Sequence, residues 1–173
     1  MIWLVAGVLV LVGIFLVTGL FGAPYVPSRR AEVEKAFAGL RPLNEKDVVV
    51  DFGCGDGVVL QVVAKSKAKG AVGIELNPIL VARAKWKNRE HKKVRVQCGN
   101  MLMMKWPEDM TVAYIFGLDR VMRMLKPRLM TYAKEHKRDI WVVSLAFEFD
   151  GMEPEKRQGA YGLYRIPCER KTE

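Results

Sequence analysis

The stretch VVVDFGCGDGVV, residues 48–59, has the residue types of a ligand-binding turn. A β-branched run ends at Asp51, glycines follow at positions 53, 55 and 57, and a helical pattern begins at Val58. Glycines at such a turn let the backbone approach a nucleotide-like ligand, because no Cβ stands in the way. We therefore expect the ligand to be bordered by Asp51, Gly53, Cys54, Gly55, Asp56 and Gly57.

The spacing and charge of this turn distinguish between possible ligands. A dinucleotide-binding turn has the pattern G-x-G-x-x-G, but here the third glycine comes one residue early. No GKS or GKT sequence is present, which excludes a P-loop. The acidic Asp56 would repel a diphosphate at the helix N-terminus, where anions are normally favoured. A cationic sulfonium, as in S-adenosylmethionine, fits this acidic turn better.

Two more polar residues follow the next two predicted strands. Glu75 ends the run AVGIE, where its carboxylate could accept hydrogen bonds from both ribose hydroxyls, beside Leu76. Asn100 follows the third strand, and its carbonyl could accept from the adenine amino group while Met101 packs on the ring. An Asn after Gly is by itself usually a turn residue. The three positions in order, each at the carboxyl end of a strand, predict S-adenosylmethionine as the cofactor.

Strand-like and helix-like segments alternate along the rest of the chain, which predicts an α/β fold with a doubly wound, mostly parallel sheet. Asn77 is expected to cap one helix, Ser28 another, and Pro127 to break a third. The predicted strands cover residues 47–52, 71–74, 94–97, 111–116 and 140–146. The predicted helices cover residues 28–40, 58–69, 77–90 and 118–137. Residues 147–149 and 161–166 are expected to form a C-terminal antiparallel hairpin.

The N-terminal run IWLVAGVLVLVGIFLVTGLF, residues 2–21, contains no charge and is long enough to span a bilayer. No basic residue precedes it, and LFGA is a poor signal-peptide cleavage site. A buried helix would show an amphipathic period, which is absent. We therefore predict a transmembrane anchor over residues 1–23. Because Arg29, Arg30 and Lys35 follow, the remaining chain is expected on the cytoplasmic side, or the matrix side in mitochondria.

Length and charge limit the kind of domain that this anchor would carry. The chain has 173 residues, enough for one ordinary domain, and its 28 Lys and Arg against 19 Asp and Glu give a net charge of +9. The positive charge is compatible with a solvated face, with attraction to anionic membrane lipid or with RNA binding. Three cysteines without a CxxC pair indicate a reducing compartment, with no disulfide framework and no metal site.

Several of these motifs together resemble a known family. VVVDFGCGDG, GIELNP and CGN are similar to motifs I, II and III of the seven-strand, class I methyltransferases, which have a Rossmann-like fold. PYVPS, IFG and VVS followed by FEF resemble a lysine-specific group within them. That group comprises archaeal protein-lysine methyltransferases and membrane-anchored mitochondrial enzymes that methylate lysines of inner-membrane proteins. The resemblance covers residues 24 to about 166.

The resemblance implies methyl transfer from S-adenosylmethionine to a lysine ε-amine of a protein, here one associated with the membrane. Residues 24–40 would form a linker and a helix that close over the active site, and residues 41–173 the methyltransferase domain. A lysine must arrive neutral, so we expect a desolvating channel. Its candidate residues are Tyr25, Pro27, Phe116 and Phe147. Tyr25, Asp119 and Glu148 are candidate catalytic residues, although core packing or a solvated position explains these side chains as well.

Two alternatives remain open, and a third is disfavoured. The chain could methylate a membrane-embedded small molecule, such as a lipid amine or a quinone precursor, or it could be a cofactor-binding assembly factor without turnover. A nucleic-acid substrate is disfavoured, because the Asp/Asn-Pro-Pro-aromatic signature of nucleic-acid N-methyltransferases is absent. Phe116-Gly117-Leu118-Asp119 stands in its place after the fourth strand.

Overall fold

The computed structural model describes residues 1–7, 9, 13 and 28–168. Most of the predicted anchor lies outside the described residues, as do Tyr25 and Pro27. Within the described part of the chain, no helix is both long and apolar enough to cross a membrane.

A single seven-stranded sheet forms the centre of the fold, in the order β3-β2-β1-β4-β5-β7-β6. The first five strands are parallel, and β7 runs antiparallel to both β5 and β6. This confirms the predicted α/β class, the mostly parallel sheet and the antiparallel C-terminal pair. The strands are β1 (Val48–Phe52), β2 (Gly70–Glu75), β3 (Val94–Cys98), β4 (Val112–Ile115), β5 (Ile140–Leu145), β6 (Lys156–Gln158) and β7 (Tyr161–Ile166).

Helices pack on both faces of this sheet. Between residues 28 and 168 the helices are α1 (Arg30–Leu40), α2 (Val58–Lys65), α3 (Pro78–Lys87) and α4 (Asp119–Glu135). One face of the sheet packs against α1 and α2 through side chains such as Phe37 and Leu60, and the other packs against α4 through Met122 and Leu129. Because both faces are covered, β1 and β4 are buried along their whole length. The strand order reverses between β1 and β4, where such sheets open a ligand crevice at their carboxyl edge.

The C-terminal hairpin differs from the prediction. The expected strand over residues 147–149 was wrong, since β7 pairs with β6 on one side and with β5 on the other. Ala146 has a φ of 64°, and the Ser144 hydroxyl donates a hydrogen bond to the Phe147 carbonyl at 2.6 Å, so the chain turns there. Phe149 then packs edge-on against Tyr164, with 5.1 Å between ring centroids.

Of the three predicted helix boundaries, the structure confirms one. The predicted Asn77 cap is confirmed, because its side-chain oxygen accepts a hydrogen bond from the Ile79 N–H at 2.9 Å. The predicted Ser28 cap was wrong: α1 starts after Arg29 without a side-chain cap, and the Ser28 hydroxyl faces Tyr114 instead. The predicted break at Pro127 was also wrong, since α4 continues through that residue.

A buried ion pair fixes the start of β1. The Asp47 carboxylate accepts two hydrogen bonds from the Arg41 guanidinium, at 2.9 and 2.8 Å, and one each from the Asn44 N–H and the Thr111 hydroxyl. Burial alone would raise the pKa of this carboxyl, but these hydrogen bonds and the Arg41 charge bring the pKa below its usual value.

Replacing Asp47 by Asn is expected to lower the free energy of unfolding by about 3 kcal/mol at pH 7, since Arg41 then lacks its buried partner. A lowered folded-state pKa stabilises the fold above the unfolded-state pKa, and this contribution is lost as pH falls through the folded value. The difference between wild type and Asp47→Asn should therefore shrink below about pH 4. Urea unfolding between pH 3 and 7 measures it, with the exposed Asp150→Asn as control. A difference that stays constant over this range would contradict the prediction.

Candidate functional site

The glycine turn is pinned to the edge of β2. The N–H groups of Gly53 and Cys54 donate hydrogen bonds to the Ile74 carbonyl at 2.8 and 3.1 Å. At Gly53, where φ is 81°, an added Cβ would meet only the Met101 methyl carbon, at 3.9 Å, among the described residues. This side of the turn is therefore open, as a backbone cradle for a ligand requires.

Glu75 lies next to this turn and holds it in place. Its carboxylate accepts hydrogen bonds from the Gly55 N–H at 2.9 Å and from the Asn77 N–H at 2.8 Å. The sequence predicted a carboxylate at this edge for the ribose, and the structure places it there. Leu76, also predicted to contact the cofactor, follows it and is half-buried.

Asp51 is the most unusual polar group in the site. Its side chain is 2% exposed, and its Oδ2 has no hydrogen-bond partner among the described residues. Burial, together with the negative charge of Glu75, raises the pKa of this carboxyl well above its usual value. A buried carboxyl oxygen without a partner is costly, so a donor on a ligand would satisfy it. With the open turn and Glu75, Asp51 fits a cofactor that carries hydroxyl and ammonium donors.

The side chains of Asp56 and Cys54 connect the glycine turn to α3 and to β2. Asp56 forms ion pairs with Lys87 and with Arg83, the latter at 3.6 Å, so its charge is compensated and it fastens the turn to α3. Cys54 is buried against β2, where a Cβ on Gly73 would lie 2.6 Å from its sulfur. Burial raises the pKa of this thiol, so Cys54 packs as a neutral side chain.

Asn100 and Met101 form a tight turn after β3. The side-chain oxygen of Asn100 accepts a hydrogen bond from the Leu102 N–H at 2.9 Å, which is the turn role that the sequence also allowed. An amide oxygen has two lone pairs, so its contact with adenine stays a prediction. The Met101 carbonyl accepts from the Trp106 indole and from the Arg128 guanidinium, both at 2.9 Å, which fixes Met101 beside the glycine turn.

The structure brings together two of the predicted channel residues. The rings of Phe116 and Phe147 lie 6.0 Å apart, and both are half-buried. Asp119 is exposed at the first position of α4. Glu148 is 59% exposed and pairs with Arg157 at 2.5 Å, which lowers the pKa of the Glu148 carboxyl. The catalytic roles of these two acids stay predictions, and their exposure agrees with a solvated position.

Two tyrosines at this edge were not predicted as site residues from the sequence. Tyr114 lies directly opposite Asp51 in the pairing of β4 with β1, and its hydroxyl faces those of Tyr161 and Ser28. Tyr114 stands in the apolar run TVAYIF, which predicted only a buried strand. The signal that could have identified it is a phenol hydroxyl in the middle of such a run. In the part of the chain that the structure describes, no cluster of His, Cys, Asp and Glu could hold a metal ion.

The chain is similar to proteins of known activity. Residues 51–156 match the model of the ANTKMT methyltransferase domain. A protein-lysine N-methyltransferase of Saccharolobus islandicus (strain REY15A) is 34% identical over 137 residues, which cover 77% of this chain and 82% of that relative.

Solved structures agree with the fold. An RNA methyltransferase from Salinibacter ruber, in complex with S-adenosyl-L-homocysteine, superposes with a TM-score of 0.71 at 25% identity. The match covers 86% of this chain and 98% of that one. A dimethyladenosine transferase from Plasmodium falciparum has a TM-score of 0.52 at 13% identity, over 70% of this chain and 43% of its own, which is a likeness of fold alone.

Proposed function

Since this chain belongs to the ANTKMT methyltransferase family and is a class I, S-adenosylmethionine-dependent methyltransferase, we propose that it methylates lysine ε-amines of proteins. The observation that carries this proposal is the 34% identity to a protein-lysine N-methyltransferase over 82% of that relative's length. The geometry of the carboxyl edge is compatible with it, because the half-buried Phe116 and Phe147 follow β4 and β5 at the same edge of the sheet where the glycine turn follows β1 and Glu75 ends β2.

We expect one group of residues at this edge to bind the cofactor and another to desolvate the lysine. Asp51, Glu75 and the glycine turn would hold the cofactor, which supplies a sulfonium-activated methyl group and ends as S-adenosylhomocysteine with release of one proton. A lysine amine has an ordinary pKa of about 10.4 and reacts only when neutral. Burial against Phe116 and Phe147 would lower that pKa by desolvation, and aromatic faces tolerate the cationic product.

We also propose that residues 1–23 anchor the enzyme in a membrane, with the catalytic domain on the cytoplasmic side, or on the matrix side if the membrane is mitochondrial. The support is the uncharged run over residues 2–21 and the basic Arg29 and Arg30 that follow it. The preferred substrate is then a membrane-associated protein with an accessible lysine. Anionic lipid would attract the positively charged domain, at about 1 kcal/mol for each Lys or Arg near the membrane.

Membranes carrying the full chain, incubated with S-adenosylmethionine labelled in its methyl group, test both proposals. We expect label in protein bands that protease removes and ribonuclease does not, with methyl-lysine found by mass spectrometry. Matched membranes that carry Glu75→Ala should show almost no label. The chain itself should stay in the pellet after an alkaline carbonate wash.

Each alternative has its own outcome in this assay. Label that partitions into organic solvent would indicate a lipid amine or quinone precursor, and label removed by ribonuclease would indicate RNA. Tight binding of S-adenosylhomocysteine without any label would indicate a cofactor-binding assembly factor. Release of the chain by carbonate would overturn the anchor and leave the lysine proposal standing.

A further inference from the structure

Three buried polar atoms without hydrogen-bond partners belong to β1, β4 and β7, near the carboxyl ends of the parallel strands. They are Asp51 Oδ2, the Tyr114 hydroxyl and the Tyr161 hydroxyl, as judged among the described residues. Asp51 and Tyr114 are paired residues of neighbouring strands, so their side chains point to the same face of the sheet. Tyr161 begins the antiparallel β7 opposite Leu145, the last residue of β5, and so lies at the carboxyl edge of the parallel strands. Buried polar groups are normally paired, so this grouping requires an explanation.

The hydroxyls of the two tyrosines lie close to each other. Their ring centroids are 6.5 Å apart, each hydroxyl faces the other, and that of Tyr114 also faces the Ser28 hydroxyl, but none of these contacts is a hydrogen bond of normal geometry. Tyr114 is 1% exposed and Tyr161 is 7% exposed. Burial raises the pKa of both phenols, so at neutral pH both are uncharged hydrogen-bond donors.

The charges near these two hydroxyls indicate which ligand group would bind them. Asp51 interacts electrostatically with Tyr114, and its unpartnered Oδ2 can accept a hydrogen bond from an ammonium. The other acid that interacts with these phenols, Glu32 beside Tyr161, is half exposed and pairs with Arg29. Phenol hydroxyls are suited to donate to a carboxylate, and such charge-assisted hydrogen bonds are strong. An acid next to two phenol donors is therefore complementary to a zwitterion, which carries an ammonium and a carboxylate on one carbon.

We propose that the Tyr114 and Tyr161 hydroxyls bind the carboxylate at the amino-acid end of S-adenosylmethionine. The inference rests on the cofactor that the proposed function uses, and it adds two binding residues to the site. It also explains why the hydroxyls lack partners among the described residues: the partner is on the ligand.

If the two hydroxyls bind the cofactor, removing either one should weaken cofactor binding without lowering the stability of the fold. Removing a buried hydroxyl that lacks a partner should leave the fold as stable as before or more stable, because the cost of desolvating that hydroxyl disappears. Removing a ligand contact should weaken binding by about tenfold per hydroxyl. A purely structural hydroxyl would show the reverse, with lost stability and unchanged affinity.

The variants Tyr114→Phe and Tyr161→Phe in the full chain test this with three ligands. S-adenosylhomocysteine carries the whole amino-acid end, S-adenosyl-3-thiopropylamine lacks only the carboxylate, and methylthioadenosine lacks the whole end. Calorimetry should show about tenfold weaker binding of S-adenosylhomocysteine for each variant and unchanged binding of the other two ligands. The melting temperature without ligand should not fall.

Tyr132→Phe is the matched control, because the Tyr132 hydroxyl is paired. It donates to the Pro107 carbonyl and accepts from the Met110 N–H at 3.1 Å. This variant should lose stability and keep its affinity for S-adenosylhomocysteine.

Unchanged binding of S-adenosylhomocysteine by both tyrosine variants would overturn the inference. An equal loss for methylthioadenosine, or for S-adenosyl-3-thiopropylamine, would overturn it too, since the hydroxyls would then act elsewhere on the cofactor. Lysine methylation is a separate readout. A wild type that binds the three ligands as expected and labels no protein would contradict the proposed function alone.

Discussion

Replacing Glu75 by Ala is expected to weaken binding of S-adenosylhomocysteine by about 100-fold or more. The Glu75 carboxylate accepts hydrogen bonds from the Gly55 and Asn77 N–H groups, so its loss frees the glycine turn as well as removing the predicted ribose contact. Hydrogen bonds to a charged group contribute about 1.5–3 kcal/mol each. The loss of two such bonds to the Glu75 carboxylate would account for a loss of affinity of about 100-fold. Isothermal titration calorimetry on the full chain measures the affinity directly.

Two further variants make the Glu75 experiment specific. Glu90→Ala removes an exposed carboxylate that pairs only with Arg89 in the described structure, and it should leave affinity unchanged. Glu75→Gln keeps the shape of the side chain but offers one acceptor oxygen instead of two, so its affinity should fall between wild type and Glu75→Ala. Unaltered binding by Glu75→Ala would show that the site has been placed at the wrong edge.

Replacing Gly57 by Ala is expected to lower the free energy of unfolding by about 4 kcal/mol. Gly57 has a φ of 82°, and an added Cβ would lie 2.6 Å from the Asn88 amide nitrogen and 3.3 Å from the Ala84 Cα. Asn88 cannot move away easily, because it is buried and donates to the Ala84 carbonyl at 2.9 Å. The variant therefore pushes α3 away from the turn. Urea unfolding measures the loss.

Gly151→Ala separates backbone strain from steric clash in this prediction. Gly151 also has a left-handed φ, of 69°, but nothing in the described structure lies within 4 Å of its added Cβ. Its replacement should cost about 1–2 kcal/mol from the backbone alone. If Gly57→Ala were no more destabilising than Gly151→Ala, the close packing of the turn on α3 would not be what requires a glycine there.

Local sequence patterns were sufficient for the central strands and for the glycine turn. Buried parallel strands leave a strong pattern, since both faces must be apolar, and residues 47–52 and 111–116 were predicted within one residue of β1 and β4 at each end. The partner of β7 could not be predicted in this way. The strand β6 (Lys156–Gln158), which pairs with β7 at the edge of the sheet, is polar and mostly exposed, whereas Phe147 and Phe149 contact the core without forming a strand.

Side-chain partners were harder to predict than positions. The sequence placed Asp56 and Glu75 correctly around one turn, but it could not show that Asp56 would pair with Lys87, which is 31 residues away. For the same reason, the sequence could not show that the Tyr114 hydroxyl lacks a partner. Whether a buried hydroxyl has a partner depends on strands that meet only in the folded sheet. Such contacts depend on the three-dimensional arrangement and leave no local pattern.

The position of Ser28 sets how far the enzyme can reach from a bilayer. Its hydroxyl faces Tyr114, at the carboxyl edge where the cofactor site lies. Seven peptide links join Phe21, the end of the apolar run, to Ser28, and a chain of that length extends about 25 Å at most. With the anchor that we propose, the cofactor site is confined to a thin layer next to the membrane. A lysine inside that layer meets the enzyme at a high effective concentration, and a lysine far outside it is out of reach, however well its sequence fits the channel.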